Sequence, residues 1–317
     1  MDQVGLVGPA RRVRPGLLVW LRELRAPFFT GTLGPIVFGA AYARFLGAQF
    51  DATLFAVTLV GGLLTHAGLN MANDYFDHKS GDDDLTRATP VSGGSKVIQE
   101  GLLAPGQVLA ASVACLVLAA GVGLYLVTQL APSAPRLALL AVGIVGMVFA
   151  WFYTAPPLRL GHRRGMGELA CTLGFGPVMA FGAYLVQARQ FSWPALAAGL
   201  PIGLLMGLVL FINEFHDIDA DRAVGKRTLV VANGTARSAT LLTLTLVATY
   251  LVTGLFILLR VFPPAALITF ATAPLAWFAA ERARKYHGQT PKLLPANFAV
   301  IGLHLVYSTL ITVAVLI

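Results

Sequence analysis

The chain consists largely of apolar stretches of about 20 residues, the length that crosses the hydrocarbon core of a bilayer as a helix. Hydrophobic residues make up 56% of the 317 residues and charged residues only 12%, against about 25% charged residues in a soluble domain. The sequence therefore predicts one all-α polytopic membrane protein rather than two soluble domains. Nine transmembrane helices are predicted, at residues 28–47, 52–73, 106–130, 135–153, 167–187, 194–216, 237–259, 264–281 and 296–316.

The basic residues predict the orientation of these spans. With a cytoplasmic N-terminus, 19 of the 23 Lys and Arg residues lie on the cytoplasmic side, and the other side keeps only Arg44, Arg136, Arg189 and Arg260. This excess is a positive-inside signal and predicts a multi-pass protein of the cell (inner) membrane. The net charge of +8 then reflects topology, and no separate basic patch indicates nucleic-acid binding. Residues 1–27 form an N-terminal cytoplasmic segment, in which GLLVWLRELRAP is typical of an amphipathic helix on the membrane surface.

Two long loops, 74–105 and 217–236, follow the second and sixth predicted spans on the same side of the membrane. An acidic cluster opens each of them: NDYFDHKSGDDD begins at Asn73, and NEFHDIDAD begins at Asn213. The clusters are roughly four spans apart, which favours two parallel four-helix repeats plus one extra helix around a central site. We expect a single domain over residues 1–317.

The acidic clusters have a regular spacing. Carboxylates at a helix C-terminus oppose the helix macrodipole and repel one another, so a partner cation is expected. If each helix continues past its predicted end, residues spaced four apart form a stripe on one face. The two predicted stripes are Asn73 and Asp77, and Asn213, Asp217 and Asp221.

Stripes of carboxylate and amide oxygens suit a hard cation. Mg²⁺ prefers a few carboxylates together with water and substrate phosphates over a cage made only of protein ligands. Two facing stripes therefore predict Mg²⁺ ions that bridge a bound diphosphate. Asp219 lies off the stripe, and simple solvation explains it equally well.

Cations in the same loops are candidates to contact the diphosphate oxygens. Each of them is also explained as an ordinary positive-inside residue, and Lys226, within GKRTL, is the strongest candidate. The Gly-rich stretch VSGGSKVIQEG, from Val91, could approach phosphates closely, although one GG pair is weak evidence. The candidate cations are Arg87, Lys96, Arg222, Lys226 and Arg227.

In these motifs the chain resembles the UbiA superfamily of intramembrane prenyltransferases. That family carries two Asp-rich motifs after the second and sixth of nine helices, and here they read N-D-Y-F-D and N-E-F-H-D-I-D-A-D-R-x-x-G-K-R-T-L. WFYTAPPLRL, from Trp151 to Leu160, resembles the family's segment after the fourth helix. LRAPFFTGTLGP, from Leu24 to Pro35, resembles the entry to its first helix. The resemblance covers nearly the whole chain.

The resemblance implies that an aromatic or other acceptor attacks a polyprenyl diphosphate, with Mg²⁺ as the cofactor and pyrophosphate as the leaving group. Carried over by motif position, Asp77, Asp217 and Asp221 are catalytic, and with Asn73 and Asn213 they hold the metal and the diphosphate. Many family members have a further Asp where this chain has Gly81. The following carboxylates, Asp82 to Asp84, are candidates to replace it, and we assign Asp83 to the metal.

The acceptor is predicted from the family likeness alone. NDYFDHKSG and DIDADRAVGKRTLVV look closest to the branch that prenylates 1,4-dihydroxy-2-naphthoate in menaquinone synthesis. Candidates to handle the acceptor or its carboxylate are Arg25, Arg159, Arg163 and His216. Tyr153 is the candidate ring for stabilising an allylic cation, although an interfacial tyrosine explains it equally well. His66 is predicted to be a packed polar residue.

Three other functions stay open at this point. The same chemistry could act on 4-hydroxybenzoate or another lipid precursor. CDP-alcohol phosphotransferases also use intramembrane Asp motifs with Mg²⁺, but their D-G-x-x-A-R opening is absent. A cation-coupled transporter would use the carboxylates as ion ligands near mid-membrane. Here the acidic residues gather at one face beside basic residues, which favours a diphosphate.

Overall fold

The computed structural model describes residues 16–86, 89 and 94–317, and all regular secondary structure in these ranges is helical. This agrees with the predicted all-α class. The α-helices are α1 Leu17–Glu23, α2 Thr30–Phe45, α3 Ala52–Ser80, α4 Asp82–Leu85, α5 Pro105–Thr128, α6 Ala134–Phe152, α7 Met166–Leu173, α8 Met179–Ala188, α9 Trp193–Ala198, α10 Leu200–Ala223, α11 Leu229–Asn233, α12 Thr235–Leu258, α13 Ala273–Tyr286 and α14 Thr290–Ala314.

Seven helical stretches in the described part of the chain are long and apolar enough to cross a membrane. Two of them are composite, because α7 and α8 are joined by a π-helical turn, Gly174–Val178, and α9 runs into α10. Pro177 lies within the π-helical turn, where its missing N–H fits the locally widened helix. The protein is therefore a multi-pass membrane protein.

The two other predicted spans, 28–47 and 264–281, are covered by shorter helices. A 3₁₀ turn at Ala26–Phe29 precedes the 16-residue α2, and a 3₁₀ helix at Pro264–Thr272 precedes the 14-residue α13. A full crossing needs about 20 helical residues. Each α-helix alone is shorter than that, and so neither counts among the seven.

The acidic motifs lie on helices and not in loops. The predicted second span ends at residue 73, but α3 continues to Ser80 and ends where Gly81 adopts a left-handed conformation with φ 80°. The predicted sixth span ends at residue 216, whereas α10 continues to Ala223. The loop boundaries predicted at 74 and 217 are therefore wrong by about two helical turns. Because both helices continue past their predicted ends, the motif residues spaced four apart lie on one helix face, as the two predicted stripes require.

Close helix contacts hold the bundle together around the motif-bearing helices. Gly203 of α10 lies against α7, and a Cβ atom there would stand 2.1 Å from the Thr172 carbonyl oxygen. Gly39 of α2 lies equally close to the Ala180 carbonyl of α8. Only glycine permits such an approach of two backbones. α10 also packs against α12 and α14, so it has neighbours on several sides.

A second, smaller apolar cluster lies below the N-terminal helix. Its buried members come from α3, the segment before α5 and α5 itself, and they include Met71, Val97 and Leu103. Trp20 and Leu24 pack against this cluster from α1 and its C-terminal end. The predicted surface helix is thus present over the short span Leu17–Glu23.

Candidate active site

A polar cavity of about 190 Å³ lies between the two acidic motifs. Residues of α3 and α4 line one side of it, and residues of α10 and the following loop line the other. Every member of the two predicted stripes lies in its wall: Asn73, Asp77, Asn213, Asp217 and Asp221. Two segments far apart in sequence therefore meet at one site.

In the first motif, one turn of α3 joins the two stripe residues. Asn73 donates from Nδ2 to Asp77 Oδ2 at 2.8 Å, the contact that the i, i+4 spacing predicts. Asp77 Oδ1 faces two nitrogen atoms from other segments. The Lys226 ammonium nitrogen lies 3.3 Å away, and His162 Nε2 lies 3.6 Å away.

In the second motif, a buried side chain of the last helix fixes two residues. Asn297 of α14 donates from Nδ2 to Asn213 Oδ1 at 2.8 Å, and its own Oδ1 lies 3.0 Å from His216 Nε2. Asp219 lies on the outside of α10 with its side chain 95% exposed, 3.6 Å from Arg222. Asp219 is therefore a solvated residue.

The left-handed turn at Gly81 folds the short helix α4 back over the cavity. Asp82 and Asp83 are buried there and line the cavity, whereas Asp84 is exposed. Lys96 donates to Asp83 Oδ1 at 3.1 Å. The carboxylates that follow the missing motif position thus reach the site through a turn that only glycine adopts readily.

Lys226 is the electrostatic centre of the cavity. Its ammonium group donates to Asp82, and Asp77 and Asp221 lie 3.3 and 3.7 Å from it. Burial alone would lower the pKa of Lys226, but these carboxylates outweigh burial and hold the pKa above its usual value. The lysine is therefore a permanent positive charge between the two motifs.

For the pKa of Asp83, burial and neighbouring carboxylates outweigh the nearby lysine. Burial and the neighbouring Asp74 and Asp77 raise the pKa of Asp83 to about 7, and Lys96 only partly offsets them. Five aspartates line the cavity, Asp77, Asp82, Asp83, Asp217 and Asp221, against the cations Lys226 and Arg25. Further positive charge would be accommodated there.

The buried oxygens fit a divalent cation. Within the described part of the chain, Asp82 Oδ1 and Asp217 Oδ1 are buried and accept no hydrogen bond. Buried carboxylate oxygens normally have such a partner. No three His, Cys, Asp or Glu side chains of that part form a ready metal cluster. Free carboxylate oxygens are nevertheless the kind of ligand that Mg²⁺ prefers, and it completes its octahedral coordination with water and substrate phosphates.

Other predicted residues divide between the cavity and the surface. Arg25 lines the cavity and donates to Asn73 Oδ1 at 3.4 Å, whereas Arg159, Arg222 and Arg227 are exposed and are not among the lining residues. Arg163 donates to the Pro157 carbonyl. Arg87 and residues 91–93 of the Gly-rich stretch lie outside the described residues.

A larger apolar cavity of about 800 Å³ adjoins the polar one. Its lining residues come from α2, α3, α5, α6, α7 and α8 and from the segments that directly follow α6 and α7, all within the first 186 residues of the chain. The two cavities share five lining residues, and Tyr153 and Phe175 are among them. His66 is a third, and it is packed between Phe29 and Phe175 while it hydrogen-bonds Thr32, as a packed polar residue would be.

Several site residues were not predicted from the sequence. His162 reaches Asp77 because the segment after α6 folds back, with Gly161 donating its N–H to the Tyr153 carbonyl at 2.8 Å. Asn297 is a lone amide within an apolar helix, and that isolation was an available signal. Glu168 of α7 and Glu214 of α10 each keep a buried oxygen without a hydrogen bond in the described structure, and Glu214 lines the polar cavity.

A family model described as "UbiA prenyltransferase family" matches residues 32–302 of the chain. The chain is 30% identical over 287 residues to the 2-carboxy-1,4-naphthoquinone phytyltransferase of Synechocystis sp., covering 90% of this chain and 89% of that protein. It is 33% identical over 270 residues to the 1,4-dihydroxy-2-naphthoate octaprenyltransferase of Mycobacterium tuberculosis, covering 85% and 87%.

Solved structures share the fold. A UbiA homolog from Archaeoglobus fulgidus, bound to DMAPP and Mg²⁺, superposes with a TM-score of 0.66 at 15% identity, covering 93% of this chain and 99% of that one. A digeranylgeranylglyceryl phosphate synthase superposes with a TM-score of 0.65 at 16% identity, covering 95% and 98%. At such identities the likeness extends to the fold alone.

Proposed function

The chain belongs to the UbiA prenyltransferase family, and from that premise we propose that it transfers a polyprenyl group from a polyprenyl diphosphate to 1,4-dihydroxy-2-naphthoate. Pyrophosphate is the leaving group. One observation carries the proposal: a carboxylate-lined cavity joins an apolar cavity of about 800 Å³ at Tyr153 and Phe175. An amphiphile with a charged head and an isoprenoid tail fits such a pair.

The choice of acceptor rests on the relatives. Proteins named for 2-carboxy-1,4-naphthoquinone and 1,4-dihydroxy-2-naphthoate match 85 to 90% of this chain at 30 to 33% identity. The likeness supports a bicyclic aromatic acid as the acceptor. Arg25 is the predicted acceptor-binding cation that lines the polar cavity, and we assign the acceptor carboxylate to it.

We assign Mg²⁺ and the diphosphate to the oxygens of both motifs. When bound, Mg²⁺ supplies a Lewis acid that stabilises charge on the departing pyrophosphate. Lys226 already lies between the motifs and contributes fixed positive charge at the same place. The residues proposed to hold the metal are Asn73, Asp77, Asp83, Asn213, Asp217 and Asp221.

The chain's own residues orient the reacting groups. Tyr153 lies where the two cavities meet, and an aromatic ring there would stabilise positive charge on the allylic carbon through its π-face. The apolar walls exclude water from that carbon, so the acceptor is the available nucleophile. Lys96 holds Asp83 in the cavity wall.

The proposed topology follows the sequence prediction. We propose nine crossings in one domain, with α2 and α13 completing the seven long spans, and two four-helix repeats plus one extra helix. The polar cavity would open to the cytoplasm of a cell whose inner membrane holds the protein. In support, three of the four arginines predicted for the other side follow or end helices α2, α8 and α12: Arg44, Arg189 and Arg260.

The test is a turnover assay of the purified protein in lipid. Geranylgeranyl or longer diphosphates are paired with 1,4-dihydroxy-2-naphthoate and with 4-hydroxybenzoate, with Mg²⁺ or with a chelator, and products are identified by mass. We expect a Mg²⁺-dependent naphthoate adduct and one pyrophosphate per adduct. An adduct on 4-hydroxybenzoate alone would reassign the acceptor. No adduct from folded protein would refute the proposal, and ion flux in vesicles would then test the transporter alternative.

A further inference from the structure

A buried carboxylate from the N-terminal helix lies beside the first motif without lining the cavity. Glu23, the last residue of α1, is 0% exposed. The Ser95 hydroxyl donates to Glu23 Oε2 at 2.6 Å. A carboxyl group in such a place is costly unless a specific contact compensates, and this contact is a buried hydrogen bond to a segment 72 residues away.

Ser95 also ties the same segment to the first motif. Its backbone N–H donates to Asp74 Oδ2 at 2.9 Å, while Arg25 lies 3.8 Å from Asp74 Oδ1. Asp74 is thus occupied by the segment that Glu23 holds. Asp74 therefore positions neighbouring segments and does not line the polar cavity.

The turn that contains Ser95 packs against Asp83. Gly94 and Lys96, on either side of Ser95, both have positive φ, 72° and 62°. A Cβ atom on Gly94 would stand 2.7 Å from Asp83 Oδ1, and the Lys96 ammonium donates to the Asp83 carbonyl at 2.5 Å and to its carboxylate at 3.1 Å. A lysine in the left-handed backbone conformation costs free energy, and it is found there only when surrounding contacts stabilise that conformation.

The helix that carries Glu23 has an exposed apolar side. Leu17 and Leu18 of α1 are 75% and 80% exposed, as the lipid-facing side of an interfacial helix would be. The opposite side of α1 presents Glu23 to Ser95 and Trp20 to the second apolar cluster. Arg22 adds a paired contact to Glu100, but on the exposed side of the segment.

We propose that Glu23 is a positioning residue: through Ser95 it holds the turn Gly94–Lys96 in the conformation that presses Asp83 into the wall of the polar cavity. The proposal deepens the proposed function, because Asp83 is one of the residues assigned to the Mg²⁺–diphosphate. Glu23 itself touches no reacting group. Its effect is on how the diphosphate is bound and not on the chemical step.

The first test needs no substrate. Hydrogen–deuterium exchange is compared in ligand-free protein in nanodiscs for wild type, Glu23→Ala and the matched control Glu100→Ala, which removes a carboxylate from the exposed side of the same contact. We expect exchange over residues 94–103 to rise about tenfold or more in Glu23→Ala, because the Ser95 hydroxyl is left buried without its hydrogen-bond acceptor. It should stay within about twofold in Glu100→Ala, because exposed ion pairs contribute little.

The second test separates positioning from general stability. Glu23→Ala should raise the KM for the prenyl diphosphate about tenfold with kcat within about threefold of wild type, and Glu23→Gln, whose oxygen still accepts from Ser95, should restore both. Unchanged exchange in Glu23→Ala, or an equal rise in Glu100→Ala, overturns the proposal. If Glu23→Ala does not fold, Ser95→Ala tests the same contact from its other end. If wild type itself gives no turnover, the proposed function fails while the exchange result still judges Glu23.

Discussion

The side chains of the site form a balance of opposite charges with Lys226 at its centre. Three carboxylates from two motifs lie around one buried ammonium group. Breaking a buried ion pair by removing one partner commonly costs about 3–5 kcal/mol, because it leaves the other charge buried and unpaired. Charge at this position therefore matters to both stability and binding.

We expect Lys226→Met to lower kcat/KM by at least about a hundredfold, since it removes fixed positive charge next to the diphosphate. Thermal stability should fall as well, because Asp77 and Asp82 lose their cation. Lys79→Met is the matched control, because Lys79 is an exposed lysine in the first acidic cluster, two residues after Asp77. Turnover and melting in detergent measure both effects. Equal losses in the two variants would contradict the role of Lys226.

The two aspartates at positions 217 and 219 permit a paired test within one motif. Asp217 lines the cavity with a buried Oδ1 that accepts no hydrogen bond from the residues that the structure describes, whereas the side chain of Asp219 is 95% exposed. We expect Asp217→Asn to reduce Mg²⁺-dependent turnover by at least about a hundredfold and Asp219→Asn to leave it within about twofold. Full activity in Asp217→Asn would remove this residue from the metal site.

The i, i+4 spacing predicted the residues that share one helix face, whereas no comparable pattern pointed to His162 or Asn297, which come from other segments. Asn73 with Asp77, and Asn213 with Asp217 and Asp221, follow from the i, i+4 spacing. The contact of His162 with Asp77 depends on how a loop folds. No local periodicity encodes that folding.

At the scale of elements, the apolar pattern located the spans but not the helix ends. Charged residues do not end a helix by themselves, and so α3 and α10 continue through their acidic motifs. The end of α3 lies at Gly81, a left-handed C-cap that glycine signals in sequence. The 3₁₀ segments before α2 and α13 carried no such signal, because tertiary packing decides between 3₁₀ and α geometry there.

The contact of α7 with α10 gives a prediction at this scale. A Cβ atom on Gly203 would stand 2.1 Å from the Thr172 carbonyl, so Gly203→Ala must push the two helices apart. We expect a loss of about 1–3 kcal/mol, the usual cost of overpacking, seen as a lower melting temperature in detergent. Gly121→Ala on α5, where a Cβ meets nothing within 4 Å, should be neutral or stabilising. A neutral Gly203→Ala would show that the helices are not so closely packed.

At the scale of the whole molecule, the two cavities differ in which parts of the chain line them. The apolar cavity is lined only by residues up to Val186, while the polar cavity also takes residues from Met206 to Thr228. The first 186 residues thus supply the apolar lining and one of the two acidic motifs, and the later residues supply the other motif and Lys226. Paired motifs in the sequence predicted a shared site, but the junction at Tyr153 and Phe175 required the packing of α3 against the segment after α6.

The proposed topology can be tested by placing single cysteines at the two ends of the bundle. In a protein whose native Cys115 and Cys171 are replaced by Ala, Asp219→Cys lies at the end that holds the acidic motifs, and Ser133→Cys lies in the exposed connection between α5 and α6. With the motifs facing the cytoplasm, a membrane-impermeant thiol reagent should label Ser133→Cys in right-side-out vesicles and Asp219→Cys in inside-out vesicles. The cysteine-free protein provides the background. Labelling of both from the same side would contradict an odd number of crossings between them, and the reverse pattern would place the active site outside the cytoplasm.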